Sequence, residues 1–167
     1  FNLEDIDTGN HTLYIEITNS VGNTQASTIV LNPSNDLMSN ATAIKLNTPY
    51  TTFTKWSAVT EEEPDNVCNS DDTTSVWYKY TAPAKGIYRL NVYGSDYSPN
   101  ITVVKKGTGT SYTPVVCGET DTDTEDTSQL SFLTAASATY LIGISGGSDS
   151  GNLSLSLEKV PCPSGYL

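Results

Sequence analysis

The sequence predicts an all-β protein, arranged as an antiparallel β-sandwich or jelly roll. Short segments in which apolar and polar residues alternate recur along most of the 167 residues, and a period of two is typical of half-buried strands. Gly, Pro, Asn and Asp gather between these segments, where turns need them. No long window has the period of about 3.6 residues that an amphipathic helix shows. A hydrophobic content of 37% is sufficient, because only alternate residues of each strand point inward.

The first 32 residues predict two strands joined by a tight turn. Leu13, Ile15 and Ile17 alternate with polar residues, "NSVGN" turns the chain, and a second strand covers 26–31. Two strands alone are marginal in water, so we expect this hairpin to complete a larger sheet. The stretch "GNHTLYIEITNSVGNT" resembles the last two strands of bacterial immunoglobulin-like or PKD-like repeats. The resemblance implies that residues 1–32 are a partial immunoglobulin-like hairpin. Because the chain starts inside a strand-like pattern, we expect it to be a piece of a longer precursor.

A regular series of further strands follows a boundary near Asn32, which Pro33 and neighbouring Asn and Ser residues mark. The expected strands are Ala41–Leu46, Tyr50–Trp56, Ser75–Thr81, Gly86–Tyr93, Ile101–Lys105, Thr113–Cys117, Gln129–Thr134, Thr139–Ser145 and Leu153–Glu158. Antiparallel strands of this length and spacing are typical of sandwiches. We therefore expect a β-sandwich domain over 33–160 and a tail or linker over 161–167.

Two aromatic-rich strands, 75–81 and 86–93, lie on either side of the segment that contains Pro83 and Gly86. The turn chemistry between them predicts a hairpin. Alternation also predicts which side chains of the sandwich face the core. The expected inward residues are Val76, Tyr78, Tyr80, Tyr88, Leu90, Val92, Leu130, Phe132, Tyr140, Ile142, Ile144, Leu153, Leu155 and Leu157. The aromatics of these strands are therefore expected to build the core rather than to hold a ligand.

The order of features from Asn35 to Lys159 resembles bacterial pre-peptidase C-terminal (PPC) domains. The matching pieces are "NDLMSNATAI", "EEEPDNVC", "SVWYKYTAPAKGIYRLNVYGSD", "ITVVKKGTGTSYTPVVCGETD", "LSFLTAASATYLIGISG" and "SGNLSLSLE". The resemblance implies a jelly-roll domain appended to secreted enzymes or surface proteins, generally without catalysis of its own. Some relatives bind calcium and matrix proteins. This chain departs from the family at "CGETDTDTEDTSQ", which is longer and more acidic than the usual turn.

Charge and composition exclude some classes of partner. A net charge of −11 leaves no basic surface to neutralise nucleic-acid phosphates, and it disfavours anionic membranes equally. No apolar run approaches the roughly 18 residues of a membrane helix. The abundance of Thr, Ser, Asn, Asp and Gly favours an extracellular or cell-surface location, and the PPC resemblance implies a bacterial source.

The three cysteines, Cys68, Cys117 and Cys162, lack the close spacing of metal or redox motifs. Cys68 and Cys117 each lie at the edge of an expected strand beside an acidic loop, so we expect a disulfide bond between them. Such a bond would close a loop of about 50 residues and contribute about 3–4 kcal/mol in the chain-entropy model. Cys162 is either free or paired outside this chain.

Four asparagines stand in glycosylation sequons and are candidates where the source has that machinery. They are Asn10, Asn40, Asn100 and Asn152.

Catalytic residues are scarce, and we expect no enzymatic activity. The single histidine, His11, lies in the opening of the N-terminal hairpin, so a nucleophile and its base would have to meet across domains. The consecutive Glu61, Glu62 and Glu63 could in principle supply a glycosidase pair. Their Pro- and Asn-rich setting indicates solvated side chains instead, whereas a general acid needs apolar burial.

Calcium is the one cofactor that the acidic loops suggest. Loops of carboxylates and carbonyls supply the six to eight oxygen ligands, roughly, that calcium takes. The side chains expected as ligands are Asp71, Asp72, Asp121 and Asp123, and Asp36 could join them if the two loops meet. The alternative, which we favour, is a pair of solvated acidic loops that keep the protein soluble and protect strand edges.

Four aromatic residues on the non-core faces could form a sugar-stacking platform. They are Trp77, Tyr93, Tyr97 and Tyr112. A loop that covers this face would bury them instead, and we favour that interpretation.

The sequence as a whole favours a non-catalytic, extracellular structural or adhesive module of a multidomain protein. The unpaired edges of the N-terminal hairpin suggest that other copies or neighbouring domains add strands to it, and head-to-tail addition would form a filament. The alternative is a calcium-assisted domain that binds polysaccharide or matrix protein on behalf of a secreted hydrolase.

Overall fold

The computed structural model describes residues 11–59, 63, 73–125, 127–146 and 149–161, and this part of the chain is all-β. Its strands are β1 (Thr12–Thr18), β2 (Thr24–Val30), β3 (Thr42–Ala43), β4 (Tyr50–Phe53), β5 (Thr74–Thr81), β6 (Gly86–Asn91), β7 (Asn100–Lys106), β8 (Tyr112–Glu119), β9 (Gln129–Thr134), β10 (Thr139–Gly146) and β11 (Asn152–Val160). A single 3-10 turn covers Met38–Asn40 within these ranges.

The strands form a two-stranded hairpin and two larger sheets. The hairpin pairs β1 with β2, the five-stranded sheet has the order β3-β5-β10-β7-β8, and the four-stranded sheet has the order β4-β11-β6-β9. Neighbouring strands are antiparallel except for the short β3, which runs parallel to β5. One buried cluster contains residues of both larger sheets, which therefore pack face to face. The predicted antiparallel β-sandwich is confirmed.

The predicted hairpin between the two aromatic-rich strands is wrong. β5 pairs with β10 and β3, whereas β6 pairs with β11 and β9 in the other sheet. The connection crosses between sheets at Ala82, whose N–H donates to the carbonyl of Ala138 at 3.0 Å. The apolar faces of β5 and β6 then meet across the core, where the rings of Tyr80 and Tyr88 lie 5.4 Å apart. Alternation predicted the buried face of each strand correctly, but it did not predict which strand lies beside it in the sheet.

The predicted inward residues fill the interior. All of them are buried except Leu130, which is half-buried and packs against the same cluster. The rings of Tyr88, Phe132 and Tyr140 form a chain of tilted contacts, with centroid distances of 6.5 and 5.6 Å. Burying an aliphatic or aromatic side chain contributes about 1.5–3 kcal/mol, so these residues dominate the stability of the sandwich.

A second, smaller core lies on the outer face of the five-stranded sheet, around Trp77. The segment before β3 covers the indole with Met38 and Ala41, and Val104 and Leu141 complete the cluster. Two hydrogen bonds fix this segment on β5, because Trp77 N–H donates to the carbonyl of Asn35 at 2.8 Å and Asn35 Nδ2 donates to the carbonyl of Trp77 at 3.0 Å. The sandwich therefore has a covered face where a two-layer fold would be open.

Alkaline pH should destabilise the sandwich through its buried tyrosines. Burial raises the pKa of Tyr97 to about 12 and also raises the pKa of Tyr78, from the ordinary value of 10.0. The folded state holds these protons more tightly than the unfolded chain, so the stabilisation is fully present below pH 10 and is lost as the pH rises through about 12. Urea unfolding from about pH 9 to 11.5 should therefore show falling stability. The free energy of unfolding should fall less steeply with pH in Tyr97→Phe. An equally steep fall in the variant would contradict the role given to the buried Tyr97 hydroxyl.

Candidate functional site

The N-terminal hairpin presents an apolar face that the described part of the chain leaves open. The β1–β2 register places Leu13 opposite Ile29, Ile15 opposite Ser27 and Ile17 opposite Gln25, so these four aliphatic residues share one face, whereas Val30 lies with Tyr14 on the other. Ile17 is 69% exposed and Ile29 is 46% exposed. The hairpin's extensive contacts join only its own two strands, with no comparable contact to either larger sheet among the described residues.

A groove of about 700 Å³ runs along this hairpin, and Ile15, Ile17, Gln25 and Ser27 contribute to its lining. The hairpin is nearly uncharged: between residues 11 and 31, Glu16 is the only acidic residue and no lysine or arginine occurs. Glu16 lies opposite Ala26 on the other face. The apolar face therefore escapes the mutual repulsion expected between copies of a chain with a net charge of −11.

The local sequence explains why the hairpin is well formed without a partner sheet. Asn19 Oδ1 accepts hydrogen bonds from the N–H groups of Val21 and Asn23, at 3.1 and 2.9 Å. Gly22 has φ of +85°, which a residue without a Cβ adopts at little cost. At the open end, Leu31 N–H donates to the carbonyl of His11 at 2.9 Å. The turn fixes the register, and hence the composition of each face.

The edges of the hairpin lack the protection found on most edges of the larger sheets. β3 has two residues, β4 has four, and β8 carries Pro114 beside a register shift at Val103 and Val104. Short strands, proline and bulges all hinder the addition of a further strand. β1 and β2 are each seven residues long and contain neither proline nor lysine. Each hairpin strand therefore has one edge that pairs with no other described strand, and such an edge can accept a further strand.

The acidic loop between β8 and β9 is organised by its own hydrogen bonds. Asp121 Oδ1 accepts from the N–H of Asp123 at 2.9 Å, and the Thr127 hydroxyl donates to the carbonyl of Asp121 at 2.8 Å. Both carboxylates are exposed. Asp71 and Asp72, the other two expected ligands, lie outside the described residues. No group of three or more His, Cys, Asp or Glu suited to a metal occurs in the described ranges. The calcium site therefore stays a prediction.

Asp36 has a structural role beside the residues that follow β4. It is 2% exposed, and its Oδ1 accepts from the N–H of Ala58 at 2.7 Å. The nearby Ser75 hydroxyl donates to Glu63 Oε1 at 2.5 Å and contacts the carbonyl of Ala58 at 3.3 Å. These contacts anchor the chain where it enters the segment after Val59.

Cys117 lies on the edge strand β8 and takes part in a disulfide bond. Both other cysteines, Cys68 and Cys162, lie outside the described residues, so the pairing of Cys117 with Cys68 stays a prediction. Mass spectrometry of non-reduced peptides should recover a linked pair that contains Cys68 and Cys117. Linkage of Cys117 to Cys162, or a free thiol at Cys68 in oxidised protein, would contradict it.

The sequons differ in accessibility. Asn40 is exposed at the end of the 3-10 turn. Asn152 is exposed as well, but its Nδ2 donates to Asp96 Oδ2 at 2.7 Å. Asn100 is half-buried at the start of β7, and Asn10 lies outside the described residues. Among the three described sequons, Asn40 is thus the candidate that offers its side chain with least rearrangement.

The proposed aromatic platform does not exist as a surface. Trp77 is 3% exposed under the segment that contains Met38 and Ala41, and Tyr97 is 6% exposed because it packs into the main core between the two sheets. Tyr112 packs against the Trp77 cluster, and Tyr93 alone of the four is largely exposed. A different aromatic group, which alternation did not single out, lines a cleft beside β4: Tyr50, Phe53 and Trp56. A strand that ends at Phe53 and then turns brings these rings together.

The residues considered for catalysis do not assemble a reactive site in the described ranges. His11 is half-buried at the base of the hairpin, and Glu63 accepts a hydrogen bond from Ser75. Glu61 and Glu62 lie outside the described residues. No described helix is long and apolar enough to cross a membrane.

Comparison with known proteins finds similarity among solved structures. No protein-family model matches the chain. No curated protein matches it either. Among solved structures, the chain is similar to the pre-peptidase C-terminal domain of a collagenase from Bacillus anthracis, with 15% sequence identity and a TM-score of 0.41. The match covers 71% of this chain and 94% of that domain.

Proposed function

We propose that this chain is a non-catalytic structural or adhesive β-sandwich module of an extracellular or cell-surface multidomain protein. Its N-terminal hairpin joins it to another copy of the same chain. The exposed aliphatic face of the hairpin carries the proposal, because Ile17 and Ile29 stay 69% and 46% exposed although the sandwich core is closed without them. Burying apolar surface stabilises a protein or complex by about 25 cal/mol per Å², and exposed side chains do not contribute this free energy.

Self-association would account for two features of the hairpin, its exposed apolar face and its unpaired strand edges. A second copy placed on the uncharged face buries the aliphatic residues, and a strand added to a free edge pairs its backbone groups. Addition in one direction repeats from copy to copy and yields an open filament. Negative-stain electron microscopy of the purified chain should show filaments or linear oligomers. Separate, uniform particles at high protein concentration would contradict the filament.

A calcium-assisted matrix- or polysaccharide-binding role is the second candidate. It is favoured by the exposed carboxylates of Asp121 and Asp123 and by the buried Asp36, which accepts a hydrogen bond from Ala58, whereas Asp71 and Asp72 lie outside the described residues. Calcium bound to the folded state alone would raise stability by RT ln(1 + [L]/Kd). Melting should then rise by several degrees in millimolar calcium but not in sodium at matched ionic strength. An unchanged melting temperature would identify the loops as solvated acidic turns.

A further inference from the structure

A cleft of about 410 Å³ opens between the edge strands β3 and β4, where the two sheets of the sandwich part. The linker after the hairpin forms one wall, with Leu31 and Pro33 among its residues, and β4 with the turn after it forms the other. Small-molecule sites commonly occupy about 300–1,000 Å³ and combine aromatic walls with a few fixed polar groups. The cleft has this size and this composition.

Four aromatic rings line the cleft in two contacting pairs. Phe53 and Trp56 meet edge to face, with ring centroids 4.9 Å apart and planes at 72°. Tyr50 and Tyr78 lie 6.4 Å apart at 60°. Tyr78 is buried, whereas the other three are half-buried and keep part of each ring accessible. The cleft thus offers apolar ring surface to a ligand without exposing the core.

Hydrogen bonds fix the orientation of the tyrosines and the position of β4. Tyr50 Oη accepts from the N–H of Lys45 at 2.9 Å, and the hydroxyls of Thr52 and Tyr78 share a hydrogen bond of 2.8 Å. The turn after β4 is closed by Ser57, whose N–H and hydroxyl both donate to the carbonyl of Thr54, at 3.0 and 2.7 Å. This turn holds Trp56 against Phe53. A site whose groups are held in place before binding loses less entropy on binding.

The charge of the lining indicates the class of ligand. None of the lining residues is charged at neutral pH, although the chain as a whole has a net charge of −11. The polar side chains of the lining carry hydroxyls and an amide, from Thr42, Thr51, Thr52, Ser34 and Asn35, of which Thr52 and Asn35 already bond to Tyr78 and Trp77. A pyranose ring matches both kinds of group, because its C–H faces pack on aromatic rings and its hydroxyls exchange hydrogen bonds with such side chains.

From these observations we infer that the cleft between β3 and β4 binds a neutral oligosaccharide, with a sugar ring packed on Phe53 and Trp56. The inference goes beyond the self-association of the hairpin, since a module held in a filament by one surface can still bind a glycan at another. A charged sugar would meet no counter-charge in the lining and is disfavoured. An apolar peptide is the competing ligand, and its side chains would make fewer hydrogen bonds with the hydroxyl groups of the lining.

Intrinsic fluorescence tests the inference, because the chain has two tryptophans and the other, Trp77, is buried. Cellohexaose, maltohexaose and xylohexaose serve as neutral probes, and trigalacturonic acid serves as the charged comparison. At least one neutral probe should change the emission saturably, with a Kd on the order of 1 mM or tighter. Trigalacturonic acid should give no saturable change.

Variants separate binding in the cleft from effects elsewhere. Phe53→Leu keeps most of the apolar volume and the tryptophan reporter but removes one ring, and it should weaken binding about tenfold. Tyr93→Ala removes an exposed aromatic outside the cleft and should bind as the parent does. The hairpin variant Ile15→Asp/Ile17→Asp should also keep sugar binding, so failure of assembly and failure of glycan binding are separate outcomes. Absence of saturable binding to all three neutral probes at about 10 mM, equal binding by Phe53→Leu, or preferential binding of an apolar peptide would each overturn the inference.

Discussion

Replacing Ile15 and Ile17 with aspartate is expected to abolish self-association while the sandwich stays folded. Both residues lie on the aliphatic face of the hairpin, and neither belongs to the sandwich core. Each isoleucine buried between copies contributes about 1.5–3 kcal/mol, and a carboxylate forced into the same interface without a partner costs more. Together the changes should raise the dissociation constant by at least about a hundredfold. Sedimentation measures the assembly, and thermal melting of the sandwich reports its fold.

A matched control adds the same charge to the opposite face of the hairpin. Thr12 and Thr28 lie on that face, as the pairing of Thr12 with Val30 and of Tyr14 with Thr28 shows. Thr12→Asp/Thr28→Asp should therefore assemble more nearly as the parent chain does. Equal loss of assembly in both variants would attribute the effect to general charge repulsion and contradict the role of the aliphatic face.

Gly143→Ala should cause a large loss of stability, because the sheet has no room for a side chain at this position. Gly143 pairs with Trp77 across β10 and β5, and an added Cβ would lie 2.8 Å from Trp77 Cη2. The indole cannot retreat, since Met38, Val104 and Leu141 enclose it. Overpacking of this kind costs about 1–3 kcal/mol, which lowers the melting temperature by several degrees in a chain of this length.

A double-mutant cycle identifies the clash as the cause. Trp77→Phe removes the outer ring atoms that the new Cβ would meet, so the Gly143→Ala penalty should shrink in that background. An equal penalty in both backgrounds, or no change in melting for Gly143→Ala, would contradict the packing that the structure shows.

The sequence predicted strands better than it predicted their partners. Gln129–Thr134 is both the expected and the observed extent of β9, because alternation and flanking turn residues agree there. The predicted pairing of β5 with β6 was wrong because a hairpin and a crossover between sheets bury the same face of each strand, so alternation does not distinguish them. The covering of Trp77 depends on a segment around Met38 and Ala41 that lies distant in sequence, and a period of two carries no information about it.

The aromatic cleft could not be predicted from the sequence either, because alternation does not show where a strand ends and turns. An expected strand over 50–56 would place Phe53 and Trp56 on opposite faces. The strand instead ends at Phe53, and the hydrogen bonds of Ser57 to the carbonyl of Thr54 form a turn that brings the two rings together. The Ser57 side chain is the local signal for that turn, since serine commonly bonds to nearby backbone and so competes with continued strand. The exposed hairpin face, by contrast, follows from alternation alone.

Sedimentation velocity of the 167-residue chain over a wide range of concentrations, combined with limited proteolysis, tests the central claim most directly. If the hairpin joins copies, the mean sedimentation coefficient rises with concentration, and cleavage between residues 11 and 31 slows as the oligomers form. The Ile15→Asp/Ile17→Asp variant then stays monomeric and is cleaved in that segment at every concentration. A parent chain that remains a single monomeric species at high concentration, with its hairpin already protected from protease, would contradict the account.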